Sequence, residues 1–287
     1  MSPAAGSTAG PAVRALGRNR RATAGAVLLA LLFALAFAGP AVSPWGWEDT
    51  DFTAFRRPPS ADHWFGTTQS GRDVFALTLR GMQRSLVIGL LVAVLSTGLA
   101  ALVGMVSGFV GGWTDRLLMW GVDLLLVLPA FLVVAVLSPL LRDGRPLVLV
   151  VVLAAFLWMV TARMVRAMTI SLKEREYVLA ARFTGASTPR VLVRHILPHL
   201  ASLLAVDASL NVSVAVIAES GLSYFGFGVQ PPDISLGTVI ADGRGAVASY
   251  PWLAGFAAGL LVLIVLAVNL LGDGLRDALD PTSGRAR

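Results

Sequence analysis

Residues 176–198 read EYVLAARFTGASTPRVLVRHILP, a polar, arginine-containing stretch between two long apolar segments. Small residues and a leucine–proline pair follow a defined order in it: Ala180, Ala181, Gly185, Leu197 and Pro198. The glycine lies four residues after the second alanine, and the leucine and proline lie twelve and thirteen residues beyond the glycine. The stretch predicts a structured, charged loop between two apolar segments.

The composition indicates a membrane protein. Of 287 residues, 56% are hydrophobic and only 14% are charged, so the charges are gathered into a few segments. Uncharged runs cover residues 22–47, 85–114 and 245–272, each longer than the roughly 20 residues that cross a bilayer. Three further apolar segments contain few charges: residues 117–141, 146–170 and 200–220. We therefore predict an all-α membrane protein with six transmembrane helices.

The distribution of basic residues predicts the orientation. With the N-terminus in the cytoplasm, 15 of the 23 basic residues fall in cytoplasmic segments and 8 in outer loops. The positive-inside rule then places both termini and the 173–198 loop in the cytoplasm. The first apolar run is too long for a typical signal peptide, so we expect an uncleaved helix. Because topology accounts for the basic excess, nucleic acid is not an expected partner.

The chain divides into six predicted segments. In order along the chain, these are a disordered cytoplasmic tail (1–21), a first transmembrane helix (22–43), an extracytoplasmic loop (44–84), a core of five transmembrane helices (85–275), the outer gate loop 221–244 within that core, which also contains the loop 173–198, and a cytoplasmic tail (276–287). In the extracytoplasmic loop, Ser70 and Asp73 have capping-box spacing, and apolar residues then recur at helical intervals. This pattern predicts an amphipathic helix on the outer surface before the second span.

Several chemical activities lack the residues that they require. The chain has no cysteine, and its one lysine, Lys173, follows a leucine rather than a glycine-rich phosphate loop, so we expect neither ATP hydrolysis nor a bound cofactor. His195 and His199 have no carboxylate between them, which makes a zinc site improbable. The serine in GLSYFG (221–226) has no histidine within a span, which excludes an intramembrane serine protease. We predict neither catalytic nor metal-binding residues.

The loop at 173–198 has its own helix signals. Gly185 should end a short helix in a left-handed conformation that other residues resist. Thr188 and Pro189 should begin the next helix, and Pro198 should interrupt it where the chain enters the membrane. A short helix held between two others could move as a rigid lever.

The segment 221–244 contains seven glycines and prolines, which is too many for a regular helix. A loop of this kind at membrane depth must line a cavity or be covered by protein. We interpret it as part of an outer gate and as a docking surface for a substrate-binding protein. Glu219, just before it, could accept hydrogen bonds from the loop or contact substrate, whereas Asp123 and Asp207 are interpreted as helix-packing residues.

Five segments together resemble a known family. The loop 176–198 is similar to the "EAA" coupling loop of the membrane subunits of ATP-binding-cassette (ABC) importers. Segments 65–86, 161–187, 219–243 and 269–281 resemble the C-type permease of the dipeptide, oligopeptide and nickel importers. The resemblance implies a type I ABC importer permease fold with a cytoplasmic coupling helix, in a bacterial inner membrane.

The resemblance also implies roles for individual residues. Contact with the ATPase would fall to Glu176, Ala180, Ala181, Arg182, Gly185, Leu197 and Pro198. The outer gate and substrate path would contain Glu219, Ser223, Tyr224, Phe227, Pro231 and Pro232. Leu179 replaces the glutamate that the family usually has before the two alanines. Tyr224 and Phe227 make the gate segment bulkier than is usual.

The implied partners are a homologous B-type permease subunit, two ABC ATPase subunits that bind ATP and magnesium, an extracytoplasmic substrate-binding protein and membrane lipid. The favoured cargo is a di- or oligopeptide. Nickel or another metal chelate, and haem, remain alternatives within the family. An ion-coupled secondary transporter would need facing intramembrane charges and paired broken helices, and the sequence displays neither.

Overall fold

The computed structural model describes residues 19–141 and 146–279. Most of the predicted N-terminal tail (1–21) and the last eight residues of the predicted C-terminal tail (276–287) lie outside these ranges. Within them the chain forms helices, connected by turns and loops. They are α1 (Arg20–Ala38), α2 (Val74–Val110), α3 (Gly112–Val127), α4 (Ala130–Leu137), α5 (Pro146–Leu157), α6 (Met159–Leu172), α7 (Glu176–Phe183), α8 (Thr188–Val191), α9 (Leu197–Tyr224), α10 (Leu236–Gly243) and α11 (Trp252–Leu279).

The lengths of these helices confirm an all-helical membrane fold. Four helical stretches in the described ranges are long and apolar enough to cross a membrane: residues 20–41, 74–110, 188–224 and 252–278. Two bent pairs, α3 with α4 and α5 with α6, pass the same test together. The six predicted spans correspond to these six units when each bent pair is taken as one span.

The two bends differ in cause. α3 and α4 meet at 79°, where Leu128 is extended, with φ −76° and ψ 124°. Pro129 follows it, and a residue before proline is pushed out of the helical region by the proline ring. α5 and α6 meet at 48° around Trp158. No proline lies at that second bend, so the proline rule does not explain it.

α2 is the central helix, and it packs against α5, α6, α9 and α10. A Cβ on Gly104 would lie 2.6 Å from the Ala162 carbonyl oxygen, and one on Gly108 would lie 2.6 Å from that of Arg166. These glycines therefore let α2 and α6 approach closely. Gly98 has no neighbour of this kind within 4 Å, so not every glycine of the span serves packing.

The predicted surface helix before the second span is instead the beginning of α2. The helix runs without a break from Val74, and most of its first turns are buried, including Phe75, Leu79 and Met82. Its N-cap is Asp73, whose side chain accepts a hydrogen bond from the Ala76 N–H. The apolar periodicity was a correct helix signal, but tertiary packing covers the face that we expected to lie on the membrane surface.

Two further segments are more helical than predicted. Residues 236–243, inside the predicted gate loop, form α10, which opens with a capping box between Ser235 and Thr238. Pro198 does not interrupt its helix, because α8, a π turn at Leu192–Ile196 and α9 form one continuous stretch. In the π turn, the Leu197 N–H bonds to the Leu192 carbonyl. This wider turn precedes a residue that has no N–H to donate.

Candidate functional site

Two loops cover one end of the bundle, which we call the capped end. Residues 42–73 precede α2, and residues 225–251 connect α9 to α11. Asp233 ties the second loop to α2, because it accepts hydrogen bonds from Arg84 Nη2 at 2.8 Å and from Arg80 Nη2 at 3.1 Å. The Asp233 side chain is only 17% exposed. Partial shielding from water strengthens such ion pairs, so the loop is held firmly on α2.

Glu219 lies beneath the same loop and is fully buried. Its carboxylate accepts hydrogen bonds from Ser223 Oγ at 2.6 Å, from Ser85 Oγ at 2.7 Å and from Ser220 Oγ at 3.3 Å. A buried carboxylate requires several such donors. The three hydroxyl groups come from α2 and α9, so Glu219 joins these two helices.

Two of these serines also accept hydrogen bonds from the loop backbone. Ser223 Oγ accepts the Val229 N–H at 2.9 Å, and Ser85 Oγ accepts the Leu236 N–H at 3.3 Å. A hydroxyl group can donate one bond and accept others, so each serine links Glu219 to a loop amide. Of the two roles that the sequence left open for Glu219, the hydrogen bonds support the structural one. Glu219 is linked to the loop through serine hydroxyl groups and does not contact the loop directly.

A cavity of about 870 Å³ opens between the two loops at the capped end. Its lining includes aromatic rings, prolines and charges of both signs. These lining residues include Trp47, Ser70, Arg72, Ser223, Tyr224, Phe225, Gln230, Pro231, Pro232, Asp242 and Arg244. A cavity of this size and composition is typical of sites that hold small ligands.

Four of the six predicted gate residues, Ser223, Tyr224, Pro231 and Pro232, line this cavity. Glu219 does not reach it. Phe227 also does not, because its ring packs edge-on against Phe131, with centroids 5.8 Å apart, in an apolar cluster with Ile88 and Leu222. Phe227 is therefore a packing residue in this structure.

Sequence reasoning missed the residues that complete the cavity. Trp47 and Arg72 lie in the first loop, and Asp242 and Arg244 end α10. The only sequence signal was the presence of charges in segments rich in turn residues. Burial raises the pKa of Asp242, although the charges of Arg72 and Arg244 act in the opposite direction.

The predicted lever lies at the opposite end of the bundle, beyond the end of α2. Lys173 Nζ donates to the Gly108 carbonyl at 3.0 Å. The Arg182 guanidinium lies over the Phe109 ring, 5.6 Å from its centroid. Val178 is fully buried on the inner face of α7. These contacts hold α7 against the end of α2.

The end of α7 has the left-handed conformation that was predicted at Gly185. Its φ is +84°. Its N–H bonds to the Arg182 carbonyl at 3.0 Å, and the Ala186 N–H bonds to the Ala181 carbonyl at 3.1 Å. These two bonds form a Schellman motif, which needs a left-handed residue at this position.

The outward surface of α7 contains residues that the sequence identified and one that it missed. Glu176, Ala180 and Arg182 are exposed, as docking would require, and Ala181 is partly buried. Phe183 was not identified, yet it is 89% exposed. A large aromatic side chain that is exposed on an otherwise anchored helix is typical of an interaction surface.

The remaining loop residues lie around the start of α9. His199 stacks on Tyr177, with ring centroids 5.2 Å apart, and its Nδ1 lies 2.9 Å from the His195 carbonyl. Leu197 is partly buried and Pro198 is exposed. Across the described residues, no group of three or more His, Cys, Asp or Glu could hold a metal ion.

Two intramembrane acids join helices, as expected. Asp207 accepts from Thr161 Oγ1 at 2.5 Å, from Thr97 Oγ1 at 2.9 Å and from Asn211 Nδ2 at 2.9 Å, which links α9 to α2 and α6. Asp123 forms an ion pair with Arg163 that links α3 to α6.

The bundle, its anchored surface helix at one end and its covered cavity at the other define a polytopic membrane protein of the permease class. Residues 100–284 match the family of binding-protein-dependent transport system inner membrane components, and residues 9–59 match the N-terminal transmembrane domain of oligopeptide transport permease C. The chain belongs to this permease family.

The relatives extend over nearly the whole chain. This chain is 52% identical to the oligopeptide transport system permease protein OppC of Mycobacterium tuberculosis, over 96% of this chain and 95% of the relative. It is 42% identical to a putative peptide permease of Brucella suis, over 95% and 91% of the two chains. It is 38% identical to OppC of Bacillus subtilis, over 92% and 86%.

Proposed function

We propose that this chain is a membrane-spanning permease subunit that carries oligopeptides through an ATP-driven importer. The observation that carries the proposal is the 52% identity to an oligopeptide permease over almost the full length of both chains. The substrate class follows from that relative and from the Brucella suis and Bacillus subtilis permeases. Nickel chelates and haem have no comparable support among them.

The proposed mechanism begins at α7. α7 is held against the end of α2 by Val178 and Arg182, and by Lys173 in the turn before it. It can therefore pass a displacement to the long central helix. Partner ATPase subunits, which supply ATP and magnesium, would push α7 when they close. This chain would contribute no catalytic residue and bind no cofactor. The switch is a rigid-body movement of packed helices.

The capped end would form the outer gate. Asp233 and Glu219 attach the loop 225–236 to α2 and α9, so a movement of α2 would reach the loop. In the proposed orientation this end is extracytoplasmic and receives an extracytoplasmic binding protein, while both chain termini and α7 are cytoplasmic. A homologous B-type permease would complete the pathway.

A transport assay in cells tests the proposal. Deletion of the gene should abolish uptake of a labelled tripeptide and confer resistance to a toxic peptide analogue. Reintroduction of the gene should restore both properties. The purified subunit alone should hydrolyse no ATP, whereas the complex with its ATPases should hydrolyse ATP faster when loaded binding protein is added. Normal peptide uptake with loss of nickel accumulation would refute the peptide assignment.

A further inference from the structure

The cavity at the capped end combines two chemical surfaces. Trp47, Tyr224 and Phe225 are among its apolar and aromatic residues. Arg72, Asp242 and Arg244 are among its charged residues. Rings and prolines suit the side chains and extended backbone of a peptide, whereas the charges suit groups that a neutral apolar ligand lacks.

The two arginines keep free donors in the cavity. Arg72 Nη2 donates to the Trp47 carbonyl at 2.5 Å, and Arg244 Nη1 donates to the Tyr224 carbonyl at 3.3 Å. Each bond uses only one of the five N–H groups of a guanidinium. Both side chains are therefore positioned by backbone contacts and can still bind a carboxylate.

Asp242 supplies a negative charge to the same cavity. Among the described residues it has no hydrogen-bond partner and no ion pair within 4.0 Å, although Arg72 and Arg244 are close enough to act on it electrostatically. Asp242 is exposed, so its carboxylate is open to a ligand in the cavity. The cavity thus presents one unpaired acid beside two partly occupied bases.

We propose that this cavity binds the termini of a short peptide, with its ammonium group on Asp242 and its carboxylate on Arg72 and Arg244. The inference rests on the proposed peptide transport and assigns a contact site for the cargo to this subunit. Adjacent charges of both signs match the ammonium and carboxylate groups that a free peptide carries at its two ends. The volume of about 870 Å³ accommodates a short peptide.

A single cysteine provides the probe, because the natural chain contains none. Ser70 lines the cavity and is exposed, so Ser70→Cys should react with a maleimide in the assembled complex without its binding protein. Tri-alanine should slow this reaction. Tri-alanine amide and N-acetyl-tri-alanine should each require about tenfold higher concentrations, because each lacks one terminal charge.

Substitutions identify which residue contacts which terminus. In the Ser70→Cys background, Arg244→Gln should reduce the preference for tri-alanine over its amide, because only Arg72 then binds the carboxylate, while discrimination against the acetylated peptide is retained. Asp242→Asn should produce the converse pattern. Arg57→Gln, an exposed arginine outside the cavity, serves as the matched control and should leave both preferences unchanged.

Three outcomes would overturn the inference while the complex still transports peptide: no protection by tri-alanine, equal protection by all three peptides, or protection by the binding protein alone. If the wild-type complex transports no peptide, the proposed function itself fails. If Ser70→Cys lowers transport, Thr68→Cys in the same cavity wall replaces it.

Discussion

Glu219 demonstrates how much one buried residue can connect. Its carboxylate accepts from serines of α2 and α9, and two of those serines accept loop amides in turn. Intramembrane acids are usually considered first as substrate contacts. Here the geometry assigns the acid to a network that attaches the gate loop, and three serine hydroxyls of that network donate to Glu219.

Glu219→Gln should therefore weaken the capped end. The amide replaces one accepting oxygen with an N–H₂ donor, so the serine hydroxyl that donated to that oxygen is left without an acceptor. We expect a loss of about 1–3 kcal/mol, measured as a lower thermal unfolding midpoint of the purified complex. Glu174→Gln, an exposed acid at the opposite end, is the control. An unchanged midpoint in Glu219→Gln would contradict the network.

At the scale of the element, α7 is a short helix whose position depends on both of its surfaces. Val178 and Arg182 attach it to the bundle, while Phe183 is 89% exposed. Leu179, which replaces the usual glutamate of the resembled loop, is 37% exposed. The outward surface is thus more apolar than the resemblance implied, and burial of such side chains favours association.

The end of α7 can be tested without altering any side-chain contact. A Cβ on Gly185 would have no neighbour within 4 Å, so Gly185→Val should cost about 1–3 kcal/mol through its φ of +84° alone. We expect the variant complex to lose its ATPase subunits or to hydrolyse ATP without transport. Gly185→Asn, which tolerates the left-handed region, should remain close to wild type. Equal transport by both variants and the wild type would remove this turn from the coupling mechanism.

At the scale of the whole molecule, the structure separates two functional surfaces along one helix. α2 contains 37 residues, which corresponds to about 55 Å at about 1.5 Å per residue. The gate loop is attached near its beginning and α7 near its end. A displacement at one surface can therefore reach the other through a single continuous element, provided that the two ends lie on opposite sides of the membrane.

Cysteine accessibility tests that orientation. Thr188→Cys in α8 and Ser249→Cys at the capped end both replace exposed residues in a chain that contains no other cysteine. In intact cells an impermeant maleimide should label Ser249→Cys and not Thr188→Cys, and permeabilisation should make Thr188→Cys reactive. The reverse pattern would invert the topology and with it the proposed coupling.

The sequence by itself determined the features that depend on neighbouring residues along the chain. Long apolar runs predicted the membrane spans, because backbone groups in lipid must be satisfied within a helix. Gly185 was predicted to be left-handed, because few other residues adopt that conformation. The spacing of the 176–198 loop also led to the correct family.

Only the tertiary structure decided which distant residues meet. Sequence periodicity identified a helix after Asp73, but packing against α10 and α11 buries the face that we expected on the membrane surface. Glu219 was ambiguous because Ser85 lies 134 residues away from it. The cavity is lined by Arg72 together with Asp242 and Arg244, which come from separate segments, and no local pattern encodes that proximity. Hydrogen bonds and ion pairs between distant segments depend on helix packing, which a single sequence does not display.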